Sequence, residues 1–268
     1  EINPDADYNS WKIDGPLDHP KIMTQASHMV TAKAYMTAFF RWHLYGAQEY
    51  AGLFKGEWVP ATVAQAEPTL NKIYVQYGDK ITNVVDNFEQ VPHNWQSSTL
   101  SGVVSDAASL PVPPQENNLA TLDSQSPHDT SGLLLRWNDI GDKLVYTPTA
   151  PINAGTYQAI SFRVAQKVGS AENVAGQVQD FYLTLTDTNN KSRSIRVDAF
   201  GKIPPQQERA VSQYTVTALS TIRIPLHVYQ TEVIYTDKVN IAQVKAISFD
   251  FKVKMKGEVA IDSVEFTN

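Results

Sequence analysis

The chain has 268 residues, 28 acidic against 22 basic side chains, a formal net charge of -6 and no cysteine. That length holds one sizeable core, or one domain with part of another. The charge excludes the basic footprint of a polyanion-binding protein, the missing thiols exclude disulfides, thiol catalysis and Cys-ligated zinc, and no apolar run is long enough for a transmembrane helix.

Residues 1 to 27 carry Pro4, Gly15, Pro16 and Pro20 among Asp and Asn, the composition of irregular coil. From Ser27, read as an N-cap, the run His28 to Tyr45 is free of Gly and Pro and stops at Gly46, which predicts a helix with a glycine C-cap. Tyr35, Ala38, Phe39, Trp42 and Tyr45 share one face, while Met29, Met36 and Phe40 occupy a second. A helix this apolar needs cover on more than one side, and too little sequence precedes it to provide that cover. A shorter helical piece, Gln48 to Phe54, ends at Gly56, and Trp58-Val59-Pro60 closes the segment.

The string from Ala34 to Gly56, A-Y-M-T-A-F-F-R-W-H-L-Y-G-A-Q-E-Y-A-G-L-F-K-G, resembles the last helix and exit of bacterial secreted α/β-hydrolases of the lipase, cutinase and chlorophyllase-like kind. The resemblance covers about 30 residues and implies that residues 1–60 are the C-terminal tail of such a domain, the chain being a processed or excised piece.

Residues 61 to 79 read as a linker with a short strand on Ile73, Val75 and Tyr77, and the linker proper is 61 to 72. Val84 to Glu89 then opens a series of strands. Asp106 to Asn118, with Pro111, Pro113 and Pro114, reads as a long loop. Strands are predicted over Leu133 to Trp137, Lys143 to Tyr146, Tyr157 to Ala165, Asp180 to Thr186, Ser192 to Phe200, Thr221 to Leu226, Val244 to Val253 and Val259 to Phe266, from two-residue alternation and β-branched content. Asp187 to Asn190 reads as a hairpin turn. Many short strands with almost no helix predict a two-sheet sandwich, with Val84 to Glu89 beside the final run Val259 to Phe266.

The order V-D-N-F-E, H-D-T-S-G-L-L-L-R-W (His128 to Trp137), I-S-F-R-V, D-F-Y-L-T-L-T-D, T-I-R-I-P-L and G-E-V-A-I-D-S-V-E-F (Gly257 to Phe266) is similar to galactose-binding-like jelly rolls, the fold of many carbohydrate-binding modules. The fold class expected is therefore mainly β: a jelly-roll sandwich over residues 80–268, preceded by a helical hydrolase remnant. This fold serves glycans, proteins and purely structural roles alike.

Three kinds of site follow. For catalysis, no G-x-S-x-G elbow occurs; Val168-Gly169-Ser170-Ala171-Glu172 lacks the second glycine. His28 stands just before the helix and His19 is an alternative, but an ordinary helix-start role for His28 and a catalytic histidine upstream of Glu1 is the simpler reading, so no catalytic residue is assigned and the chain alone is expected to be inactive. For metal, the jelly-roll resemblance implies a structural Ca²⁺ between the first and last strands, held by Glu89 and Asp262; otherwise both carboxylates are solvated or paired with Lys or Arg. For ligand, Trp95 in the polar loop H-N-W-Q is the leading exposed aromatic, either a stacking platform or a lid over the core, with Tyr229 and Tyr235 flanking another loop. Trp137 reads as core. Arg136, Arg163 and Arg223 read as structural partners of Asp180 or Asp250, and Lys252, Lys254 and Lys256 as the solvent face of an edge strand.

Together these readings describe the C-terminal portion of an exported bacterial serine ester hydrolase. Its appended sandwich binds a carbohydrate or polymer surface, or stabilises the catalytic domain. The rival is a stand-alone, non-catalytic carbohydrate-binding or structural module.

Overall fold

The computed structural model describes residues 24–66, 73–98, 102–119, 130–174, 176–203, 205, 207–208, 215–216, 219–231 and 238–268. Helix α1, Gln25–Tyr45, starts one turn earlier than Ser27: Thr24 is the N-cap, its Oγ1 accepting from the Ser27 amide at 3.3 Å. Ser27 lies inside the first turn, buried. The helix stops at Gly46, whose φ of 69° is the left-handed conformation that a glycine C-cap supplies without a Cβ penalty. A 3-10 turn, Gln48–Tyr50, and helix α2, Ala51–Phe54, follow as expected.

Phe54 folds back onto the aromatic face of α1. Trp42 stacks on it at 5.5 Å, and Tyr35 and Phe39 meet it edge-on at 5.9 and 6.2 Å. Among the described residues the second face has no such partner: Met29, Met36, Phe40 and Leu44 are exposed, Leu44 to 72%. Residues 61 to 65, read above as linker, instead form helix α3, Ala61–Gln65, because the Val63 and Ala64 amides both reach the Pro60 carbonyl and Val63 is buried. Residues 73 to 77 are extended but form no ladder; the Thr221 amide donates to the Val75 carbonyl, and the Tyr77 amide donates to Thr221 Oγ1.

The sandwich has two antiparallel sheets. Its strands are β1 (Thr82–Asp86), β2 (Ser97–Ser98), β3 (Val103–Asp106), β4 (Gln115–Asn118), β5 (Ser131–Trp137), β6 (Lys143–Pro148), β7 (Ala159–Gln166), β8 (Tyr182–Asp187), β9 (Ser192–Arg196), β12 (Ser220–Pro225), β13 (Val244–Asp250) and β14 (Gly257–Thr267), with a separate two-stranded ribbon of β10 (Gln207–Glu208) and β11 (Thr215–Val216). One sheet runs β12-β7-β14-β5-β4, with β1 also paired to β14; the other runs β2-β3-β6-β13-β8-β9.

The first and last strands do lie side by side, Thr82 opposite Thr267 and Val84 opposite Glu265. The first strand is shorter than Val84 to Glu89 suggested. Asp86 Oδ1 accepts from the Phe88 amide and Phe88 sits at a φ of 59°, so the chain turns out of the ladder and leaves Glu89 in the following loop.

Leu133, Leu135 and Trp137 on β5, Phe162 on β7 and Ile261 on β14 face Leu144 and Tyr146 on β6, Leu183 on β8 and Phe249 on β13, all fully buried. Trp137 lies flat on Phe251 with ring centroids 4.2 Å apart, and Phe181 meets both Phe249 and Phe251 edge-on. Such aromatic pairs contribute about 0.5–1.5 kcal/mol each beyond their burial. Gly257 is placed opposite Trp137, and a Cβ there would sit 2.2 Å from the indole ring, so only glycine fits.

Three further expectations are corrected. The loop assigned to 106 to 118 contains β4, whose Q-E-N-N sequence shows no apolar alternation because the strand pairs at the sheet edge through its backbone. Residues 252 to 256 are not an edge strand: β13 ends at Asp250, and the Phe251 amide turns away to the Asp142 carbonyl. Arg136 pairs with Glu172, Arg163 with Asp262 and Arg223 with Glu57, while Asp180 pairs with Arg196 and Asp250 with Lys252.

The helical segment is fastened to the sandwich. Arg223, only 4% exposed, donates to Thr267 Oγ1 and to the Asn268 carbonyl, and stacks over Tyr77 at 5.2 Å. Lys55 Nζ donates to the same Asn268 carbonyl at 3.0 Å.

Candidate functional site

Glu89 and Asp262 come together at the seam of the first and last strands. Glu89 Oε1 accepts from the Ser131 amide at 2.9 Å, and the neighbouring Thr130 hydroxyl donates to Asp262 Oδ2 at 3.2 Å. Glu89 is exposed and Asp262 fully buried. Burial pushes the Asp262 carboxyl up, against the pull of Arg163, and the guanidinium, 2.5 Å from Oδ2, supplies the positive charge. Ser263 Oγ donates to Oδ1. Among the described residues no three His, Asp or Glu side chains converge in a metal-binding group.

Trp95 is half-buried and packs against the main core. Tyr229 is fully buried rather than at a loop surface, and its hydroxyl donates to the Leu183 carbonyl at 3.1 Å. Trp137 is core, as expected, its indole N–H satisfied by the Lys254 carbonyl at 3.0 Å. His28 is an exposed side chain in the first turn of α1. His19, Tyr235 and the linker residues 67 to 72 lie outside the described residues.

A half-open cleft lies elsewhere, where residues 172 to 179 meet residues 254 to 256. It has a volume of about 170 Å³. Val174, Val178 and Met255 give it an apolar patch, with Met255 exposed to 62%. Glu172, Gln177, Gln179, Lys254 and Lys256 surround that patch. Asn173 fixes the two segments together: its Nδ2 donates to the Glu258 carbonyl at 2.8 Å, and its Oδ1 accepts from the Glu258 amide at 2.9 Å and from Gln179 Nε2 at 3.0 Å. Glu172 is clamped between Arg136 and Lys256, the latter 3.2 Å from Oε2, and the Arg136 hydrogen bond foremost holds its carboxyl below the usual range.

The chemistry this offers is recognition. The one carboxylate already serves two cations, so it is a poor general base; amide, ammonium and carboxylate groups around an apolar patch suit a ligand with both hydroxyl groups and C–H faces. Neither contributing stretch announced a site. Residues 168 to 172 drew notice only as a failed nucleophile elbow, and 252 to 256 only as an alternating lysine run; their lysines and glutamate gain meaning from being adjacent in space.

A second polar group is buried between the sheets at the β4 and β2 edge. Asp86 on β1 is 1% exposed and Glu116 on β4 is 9% exposed. Asp86 Oδ2, both Glu116 carboxylate oxygens, Ser105 Oγ and Tyr146 OH lack a hydrogen bond of strict geometry, while the Asn94 amide, His93 and Gln90 lie near Glu116 and Ser98 near Asp86. Burial, with the Glu116 charge adding, pushes the Asp86 carboxyl up to about 7, and burial pushes Glu116 up. His93 Nδ1 stands 3.5 Å from Glu116 Oε1.

No protein-family model and no curated protein matches the sequence. Among solved structures, the chain is similar in arrangement to the family 11 carbohydrate-binding module from Clostridium thermocellum in complex with a β-1,3-1,4-mixed-linked tetrasaccharide, at 13% identity and a TM-score of 0.42, covering 70% of this chain and 95% of that one. It is similar also to an exo-β-agarase, at 14% identity and a TM-score of 0.43 over 69% of this chain and 24% of that one. A third is the family 30 carbohydrate-binding module of the Clostridium thermocellum cellulase Cel9D-Cel44B, at 12% identity and a TM-score of 0.40 over 63% and 92%. The chain's own coordinates define its class: a mainly β protein, a two-sheet antiparallel sandwich with a helical N-terminal segment.

Proposed function

We propose that this chain is a carbohydrate-binding module and that the cleft between residues 172–179 and 254–256 is its ligand contact. The observation that carries the reading is the cleft's composition: an exposed apolar patch of Val174, Val178 and Met255 ringed by Glu172, Gln177, Lys254 and Lys256 on two segments locked by Asn173. A pyranose offers the complement, hydroxyls at its rim and C–H groups on its face. The cleft is small against the roughly 300–1,000 Å³ of drug-sized sites, which favours a chain end or one sugar unit over a flat polymer. Titration calorimetry against a panel of soluble β-glucan, agaro- and manno-oligosaccharides tests it. Binding that Met255→Ala and Gln177→Ala each weaken by about tenfold, near 1.4 kcal/mol, supports the reading; no binding to any member, or binding indifferent to both substitutions, sinks it.

A second reading has its own observation. The uncovered second face of α1, with Met36, Phe40 and Leu44 exposed, is what a helix seated on an α/β-hydrolase sheet would present. In that reading the module belongs to an exported bacterial serine ester hydrolase, lipase- or esterase-like, and residues 1–60 are the end of its catalytic domain. The codons upstream of Glu1 test this: a G-x-S-x-G followed by Asp and His supports it, and their absence from the same reading frame overturns it. Calcium at Glu89 and Asp262 is a separate proposal, resting on the two carboxylates lying at the seam of the first and last strands.

A further inference from the structure

The polar group between the sheets is assembled from every element around one edge of the sandwich. Asp86 comes from β1, Glu116 from β4, Ser98 from β2, Ser105 from β3 and Tyr146 from β6, with the loop 87–96 carrying His93 across the top. Ser105 and Tyr146 are register partners on β3 and β6, so both hydroxyls belong to the opposite sheet from the two acids. Five oxygens in this space lack a hydrogen bond of strict geometry, although the Asn94 amide, His93 and Gln90 approach Glu116 and Ser98 approaches Asp86 closely enough to act against their burial. No arginine or lysine is ion-paired to Asp86 or Glu116 among the described residues; Arg163, on the neighbouring strands, is taken by Asp262, whose own negative charge also acts on Asp86. His93, with its side chain 26% exposed, is the group that reaches Glu116.

Two buried carboxylates with polar neighbours but no arginine or lysine partner cannot both stay ionised without cost, since burial outweighs the neighbouring hydrogen bonds and pushes both acids up. A proton removes the charge. An ion shared by three acidic or imidazole ligands would also remove it, but among the described residues no such group converges. What the full charge would act on is also clear. Glu116 sits on an edge strand held by β5 on one side alone, and the segment after Asp86 leaves the ladder at once, so this edge is the part of the sandwich that can yield without unfolding the core.

We propose that Asp86 and Glu116 form a proton-held latch: with a proton on the pair the loop 87–98 and β4 stay closed over the space between the sheets, and with both acids ionised this edge opens while β6, β13 and β8 remain folded. The proton leaves to solvent by way of the exposed loop. Among the described residues, Asp262, Tyr146 and His93 are the remaining titratable groups acting on the pair, and His93 is the one of them that can carry a positive charge. The latch makes the module's Trp95-bearing edge responsive to pH, independently of the cleft at residues 172–179.

Hydrogen exchange followed by mass spectrometry tests this on the whole chain at pH 5.5 and 8.5, after correction for intrinsic exchange. The expected result is that peptides from 87–98 and 115–119 lose about tenfold in protection at the higher pH while 244–250 does not change. Glu116→Gln, which keeps the side-chain shape, should erase the pH response, and Asp86→Asn should do the same. Circular dichroism melts establish that each variant is folded, and either variant alone suffices. A wild-type edge with no pH response, a response spread equally over 244–250, or one that survives in a folded variant overturns the latch. So does recovery of protection at pH 8.5 on adding calcium chloride, since a cation would then hold the edge.

Discussion

Arg163 Nη2 on β7 lies 2.5 Å from Asp262 Oδ2 on β14, and the two residues are register partners in the sheet. The acid is fully buried and the arginine side chain 21% exposed, so the guanidinium is the counter-charge that allows a carboxylate at the centre of the closing strand. Arg163→Met should leave that charge uncompensated and lower stability by about 3–5 kcal/mol, measured by urea unfolding.

The same relationship sets up the calcium test. If an ion joins Glu89 and Asp262, thermal melts in calcium should exceed those in EDTA, and Glu89→Ala should abolish the difference. If Arg163 alone satisfies Asp262, the wild-type melts coincide in the two buffers.

Gly257→Ala should destabilise the sandwich through one contact. The new methyl group would have to displace the Trp137 ring, which is stacked on Phe251 in the core and cannot move freely. A loss of about 1–3 kcal/mol is expected, as for overpacking in general. The near-UV circular dichroism of Trp137 should change with it; an unchanged spectrum and midpoint would contradict the contact.

Stability should fall as the pH rises from about 4 to about 7. Asp86 and Glu265 are both pushed up to about 7, chiefly by burial, whereas their unfolded values are near 4. Between those limits the folded state binds more protons than the unfolded one, so each step up in pH favours unfolding, and above about 7 the effect is complete. Glu172 and Asp187 are held down and act only below the ordinary carboxylate range. Melting temperatures at pH 5 should therefore exceed those at pH 8, and Glu265→Gln should narrow the gap.

Arg223→Ala should loosen the helical segment from the sandwich. It removes the bonds to Glu57, Thr267 and Asn268 together with the stack on Tyr77. Limited proteolysis is expected to cut between residues 57 and 80 sooner in the variant, with the sandwich core left intact; an unchanged digestion pattern would show that the other contacts suffice.

Local features were legible in the residues themselves. Gly46 ends α1 because the left-handed cap is a single-residue property. Asp187 makes the turn to Lys191 through its own carboxylate, which accepts from the Asn189 and Lys191 amides. The pairing of the first and last strands was readable because V-V-D-N-F-E and the final run Val259 to Phe266 bracket the β series in the order of a jelly roll. Strand β4 was not, since Q-E-N-N has no apolar period and is a strand only because β5 offers it a backbone edge. Tyr229 was misplaced for the same reason: nothing in its neighbours tells that its hydroxyl ends at Leu183 between the sheets. The cleft joins Glu172 to Lys256 across more than 80 residues, and the latch pairs Asp86 and Glu116 from two non-adjacent strands of one sheet, with Ser105 and Tyr146 facing them from the other. Periodicity reports which face of its own strand a residue occupies; which other residues share that face is decided by sheet order, register and the point where each chain segment leaves its ladder. Thus the sequence alone determined the sandwich, its closing strands and the helix with its cap, and only the tertiary structure decided where the binding groups meet.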